Sequence, residues 1–137
     1  MAYWLFKSEP DVFGWDDLVA RGDRGEEWDG VRNYQARNNM RAMKKGDLGL
    51  FYHSNQGKEA VGICEVIAEI HPDSTTDDPR WECVDVKAVK PLPRFVSLEQ
   101  AKAEPRLKDM ALVNNTRLSV QPVTEGEWAV VMELAGL

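Results

Sequence analysis

The sequence predicts an α+β domain built on a small barrel-like sheet. Three observations carry that reading. Strand-like runs of uneven spacing, rich in β-branched and aromatic residues, occur along the chain with helix-like segments at several points between them. Two capping boxes, Ser97-Leu98-Glu99-Gln100 and Thr124-Glu125-Gly126-Glu127, mark helix starts. The length of 137 residues suits one domain, residues 1–137, and 43% hydrophobic residues are enough to fill its core.

Residues 2–7 read as the opening strand, closed where Pro10 withdraws an N–H from any ladder. Residues 15–21 read as a short helix stopped by Gly22, and 22–30 as a polar loop closing on Trp28-Asp29-Gly30. Asn33 is a good N-cap for a helix to about Lys45, with Ala36, Met40 and Met43 on one face. Asp47 to His53 alternates as a strand, with Leu48, Leu50 and Tyr52 pointing one way. After a turn at 54–58, residues 60–70 form a long strand in which Gly62 marks a bulge or a close backbone approach. Residues 73–80 read as an exposed acidic loop and 81–89 as a strand. A short helix follows Ser97 and ends at Pro105, and 112–119 returns as a last short strand. The C-terminal helix turns Trp128, Val131 and Leu134 inward, and Trp4 and Trp128 read as core.

A net charge of −6 argues against a protein that grips duplex nucleic acid mainly by neutralising phosphates. The charge is uneven. Residues 9–29 hold eight acids against Arg21 and Arg24, whereas 31–46 hold five bases and no acid. That basic stretch is either a solvated helix face or a local anion-binding patch. Cys64 and Cys83 lie in strand-like runs and read as buried free thiols; no spacing of Cys or His suits zinc. No apolar run is long enough to cross a membrane, and the first residues lack a basic, cleavable leader, so a cytoplasmic protein is expected. G-x-S-x-G, Walker, G-x-G-x-x-G and H-E-x-x-H signatures are missing, and the strand neighbours His53 and Ser54 point to opposite faces.

Polar, aromatic and basic residues gather instead at strand ends and loop mouths: Lys7-Ser8, Trp28, Arg32-Asn33, Arg37-Asn38, His53-Ser54 and Arg117 to Pro122. A flat heterocycle needs an aromatic wall and a few polar groups for its edge. Trp28, in a polar loop rather than an apolar strand, suits the wall.

The runs Tyr3-Trp4-Leu5-Phe6-Lys7-Ser8-Glu9-Pro10-Asp11, Trp28-Asp29-Gly30-Val31-Arg32-Asn33-Tyr34-Gln35-Ala36-Arg37-Asn38, Gly46-Asp47, Phe51-Tyr52-His53-Ser54-Asn55 and Arg117-Leu118-Ser119-Val120-Gln121-Pro122-Val123 resemble the EVE domain family over essentially the whole chain. The resemblance implies a PUA-like β-barrel of five to six mostly antiparallel strands with flanking helices. It also implies a pocket for a modified base of DNA or RNA. YTH domains of the same superfamily likewise open on a strand ending in Lys-Ser, with a cage tryptophan some twenty residues later; Lys7-Ser8 and Trp28 match those positions. Trp81 is the nearest candidate for a second aromatic wall. The implied base-binding residues are Lys7, Ser8, Trp28, Val31, Asn33, Asn38, His53, Ser54, Ser119 and Gln121. Arg32, Arg37, Arg41 and Arg117 are the implied phosphate-binding residues, with a buried bond from Arg37 to a carboxylate such as Asp85 as its alternative role. The expected function is a non-catalytic reader without catalytic residue, metal or cofactor, its partner modified nucleic acid and not a membrane, and a monomer. The alternatives are an ASCH-like enzyme acting on modified nucleosides or RNA, and an RNA-contacting module of a larger assembly.

Overall fold

The computed structural model describes all 137 residues, Met1–Leu137. Six strands form one sheet: β1 (Tyr3–Ser8), β2 (Glu26–Glu27), β3 (Leu48–His53), β4 (Glu59–Pro72), β5 (Glu82–Ser97) and β6 (Val120–Val123), in the order β2-β5-β4-β3-β1-β6. Only β1 and β3 run parallel. A parallel pair needs a long crossover. Here it carries α1 (Pro10–Phe13), α2 (Trp15–Ala20), a 3-10 turn at Gly22–Arg24, β2 and α3 (Tyr34–Ala42). Between β5 and β6 come α4 (Leu98–Ala103), a 3-10 turn at Pro105–Leu107 and α5 (Ala111–Asn114); α6 (Glu125–Ala135) closes the chain. The result is a PUA-like α+β fold. Its sheet stays open, because the edge strands β2 and β6 do not pair.

Strand alternation divides the core in two. Trp4 and Phe6 of β1 and Phe51 of β3 join Trp15, Trp28 and the α3 face Ala36-Met40, with Met43 just beyond it. Leu5, Leu50 and Tyr52 point the other way, against Trp128 and Val131 of α6. The Trp4 indole N–H donates to the buried Asp47 carboxylate, which also accepts from the amides of Ala2 and Lys44. At Gly62 both expectations hold. The β3–β4 and β4–β5 registers shift beside it, and a Cβ there would lie 2.4 Å from the Trp15 ring. Ser97 and Thr124 close their capping boxes, and Asn33 caps α3 by accepting from the Ala36 amide.

Several elements depart from the sequence reading. Residues 112–119 are not a strand: α5 occupies Ala111–Asn114, and β6 begins at Val120. Leu107, Met110 and Leu112 are buried together against the α6 side of the sheet, where short helical turns gather residues that a strand would alternate, and Leu118 is buried on the other side. β5 runs on to Ser97 through Pro91 and Pro93, since beyond Val86 one of its edges has no partner. Pro10 starts α1 at its first turn, where a missing N–H is harmless. α3 stops at Ala42 because the Lys44 amide is taken by Asp47. α6 buries Ala135 fully and Leu134 only partly. The 73–80 loop is not wholly exposed: Asp73 is 2% exposed.

Candidate functional site

A cavity of about 540 Å³ opens where the C-terminal end of β1 meets the crossover. That volume lies within the range of small-molecule sites, about 300–1,000 Å³. Lys7 and Ser8 line it from β1, Val12 and Phe13 from α1, Arg21 from the end of α2, and Ser119 from the approach to β6. The remaining wall is continuous from Glu26 to Arg32.

Trp28 is the largest apolar part of this wall, and it is not the free loop residue the sequence suggests. It is 7% exposed. The rings of Phe6, Phe13 and Phe51 meet it edge-on at 5.2, 6.4 and 5.7 Å. Its backbone N–H bonds the Val84 carbonyl, continuing β2 along β5. The indole plane is therefore set by the core before anything enters the cavity.

Asp73 holds the next residues. Its carboxylate accepts from the Gly30 amide, the Arg32 guanidinium, and the Thr75 amide and hydroxyl. Burial opposes this charge, but the Thr75, Gly30 and Arg32 donors outweigh it and hold the carboxyl down to about 2. Gly30, at φ +76°, makes the turn that brings its N–H round to Asp73. Asp29 moves oppositely: burial, then the charges of Asp73, Glu27 and Glu26, raise it above the usual range. Across the cavity the Lys7 ammonium donates to the Thr116 carbonyl, and burial lowers its pKa. One of its three N–H groups is used there, which leaves two for a ligand. Ser8 donates its hydroxyl to the Phe13 carbonyl and keeps an oxygen that can accept.

Of the residues singled out from sequence, Lys7, Ser8, Trp28, Val31, Arg32 and Ser119 share this cavity. Asn33, Asn38, His53, Ser54 and Gln121 lie outside its lining. The Asn33 side chain is occupied as the α3 cap, and Asn38 accepts from Arg37. His53 accepts the Trp15 amide proton and lines a separate cavity beside Phe95. The Ser54 amide bonds the Ser8 carbonyl. Gln121 is fully buried and donates to the Asn115 and Leu118 carbonyls, bracing the turn into β6. Sequence reasoning missed Phe13, Arg21, Glu26, Glu27 and Asp29 as lining and Asp73 as their anchor. The Asp73-x-Thr75 turn has a local signature, but its reach to Gly30 has none.

The basic stretch is differentiated. Arg41 is ion-paired with Glu82. Arg37 lies over the Tyr34 ring and donates to the Arg80 carbonyl, with no carboxylate at ion-pair distance. Asp85, its suggested partner, is paired with His71 instead. Arg117 is exposed. Trp81 belongs to neither core cluster and does not line the cavity. It stacks on Tyr34 at 5.1 Å, with the Arg32 and Arg80 guanidinium groups over its ring.

Residues 2–134 match the EVE domain. The chain belongs to the EVE domain family. This EVE domain is 39% identical to mouse thymocyte nuclear protein 1, over 96% of this chain and 73% of that one. It superposes on protein Atu2648 from Agrobacterium tumefaciens with a TM-score of 0.99 and 58% identity, covering 100% of this chain and 94% of the other. The crystal structure of human THYN1 in complex with 5-methylcytosine-containing DNA superposes with a TM-score of 0.91 at 36% identity, covering 100% and 99% of the two chains.

Proposed function

We propose that this EVE domain reads modified nucleic acid by holding one modified base of DNA or RNA in the cavity beside Trp28, without catalysing a reaction on it. The observation that supports this most is the indole wall, fixed by three surrounding rings at the edge of a cavity of suitable size. Stacking on one aromatic ring is worth roughly 1–3 kcal/mol per base. A ring already held in place adds no ordering penalty to that figure. Around it, Asp29 and Glu26 offer acceptors for an exocyclic amino group, and Lys7, Ser8 and Ser119 offer groups for ring nitrogens and carbonyl oxygens. The base enters flipped from a duplex or from a single strand. Arg37 and Arg117 hold the flanking phosphates, Arg32 shapes the cavity wall through its bonds to Asp73 and Thr75, and Asn33, Asn38, His53, Ser54 and Gln121 support the loops. The THYN1 complex supports a modified cytosine as the first base to test.

The test is a titration of DNA and RNA oligonucleotides, each carrying 5-methylcytosine, another 5-substituted cytosine, N6-methyladenine or no modification. At least a tenfold preference for one modified strand is expected. Equal affinity for all strands would favour an RNA-contacting module of a larger assembly. A chemically altered nucleoside in the mixture, detected by mass spectrometry, would favour an enzyme.

A further inference from the structure

Beyond the wall that Glu27 contributes to the cavity, three strands bring together side chains of a different chemistry. Glu27 of β2, His71 of β4 and Cys83 of β5 place a carboxylate oxygen, a ring nitrogen and a sulfur all within 4.8 Å of one another. The ladder explains this: His71 is the cross-strand partner of Cys83, and Glu27 pairs with Asp85, two residues along β5 on the same face. Cys83 is fully buried, whereas Glu27 and His71 are half-buried and give an ion a path from solvent. His71 is already oriented from outside the cluster. One ring nitrogen lies 3.0 Å from the Pro72 carbonyl and the other 2.8 Å from the Asp85 carboxylate. Whichever nitrogen turns to an ion, the other keeps an acceptor that fixes ring and tautomer, the arrangement that supports metal-bound histidines.

We propose that Glu27, His71 and Cys83 form a binding site for a borderline-soft divalent cation of the Zn²⁺ class, with Asp85 or the Pro72 carbonyl steadying His71. The mixed S, N and O donor set suits zinc or cobalt and is a poor match for magnesium or calcium, which take oxygen ligands. Tetrahedral bonds of about 2.0–2.3 Å put ligand atoms about 3.3–3.8 Å apart, so a trio within 4.8 Å of one another contracts by at most about 1.5 Å, within reach of side-chain rotation at two half-exposed residues. Three protein ligands leave a fourth position for water, and the thiol proton passes to solvent as the ion binds. β2 leads directly into Trp28, so the ion would pin the strand that carries the indole wall. The proposal stands on these three strands and does not depend on what the cavity holds.

The experiment is a Co²⁺ titration of the reduced full-length protein, followed by absorption. A 1:1 complex with a thiolate-to-cobalt charge-transfer band, bleached by Zn²⁺, is expected. Cys83→Ser should abolish the band, and His71→Gln should weaken Co²⁺ binding at least tenfold. Zn²⁺ should raise the melting temperature of the parent protein and leave that of His71→Gln unchanged. If Cys83→Ser fails to fold, the half-exposed His71→Gln decides. Absence of the band in the parent protein overturns the site, as does a band undiminished in folded His71→Gln.

Discussion

Removing the Trp28 indole would leave a void between Phe6, Phe13 and Phe51, and truncating a buried tryptophan to alanine costs about 3–5 kcal/mol. Trp28→Ala is therefore expected to lower the melting temperature sharply, so its binding defect alone would say little. Trp28→Phe keeps an aromatic ring in place. It should remain folded by circular dichroism and lose about tenfold in affinity for a modified strand; unchanged affinity would remove Trp28 from the binding wall. Arg37 and Arg41 separate at the same scale. Arg41 already has Glu82, whereas Arg37 lacks a carboxylate, so Arg37 is the better placed to meet a phosphate. Arg37→Glu should flatten the dependence of log affinity on log salt by about 0.9 per lost contact, and Arg41→Glu should flatten it less. A steeper loss for Arg41→Glu would reverse the assignment.

Asn33 shows how an element can claim a residue that looks like a ligand. Its side chain caps α3, and Asn33→Ala should cost about 0.5–2 kcal/mol in denaturant melts while leaving oligonucleotide affinity unchanged. Local chemistry made this cap readable in the sequence, along with both capping boxes, the alternation of β3 and the meaning of Gly62. The cavity was legible only in part. Lys7, Ser8 and Trp28 announce themselves as polar or aromatic residues at element ends. Asp73 gains its importance from a contact with the Gly30 amide across 43 positions, and no local pattern encodes that. The region after β5 misled for a related reason: the buried leucines there fit either a strand or a chain of short turns, and tertiary packing chose the turns.

For the whole molecule, acid is expected to act first through carboxylates that the fold keeps charged. Burial of Asp47 opposes its charge, but donors from Lys44, Trp4 and Ala2 outweigh this and place its pKa below the ordinary 3.8. A carboxyl lowered by folding contributes stability that is present above its unfolded value and is lost as pH falls through its folded one. Urea melts of the parent protein should weaken below about pH 4. Asp47→Asn should be less stable at neutral pH and show a flatter decline over that window; an equally steep decline would assign the acid response to other groups.

The parallel pairing of β1 with β3 has a consequence for how such domains diversify. Ten of the thirteen cavity-lining residues, from Val12 to Arg32, belong to the single connection that the pairing makes necessary. The connection is tethered at both ends to the sheet centre, so under the proposed function selectivity would be packaged as one exchangeable cassette on a constant platform. Transplanting residues 9–33 from another family member should carry that member's base preference with it, read as the ratio of Kd values for two modified strands. A chimaera that keeps the recipient's ratio would place selectivity in Lys7, Ser8 and Ser119 instead.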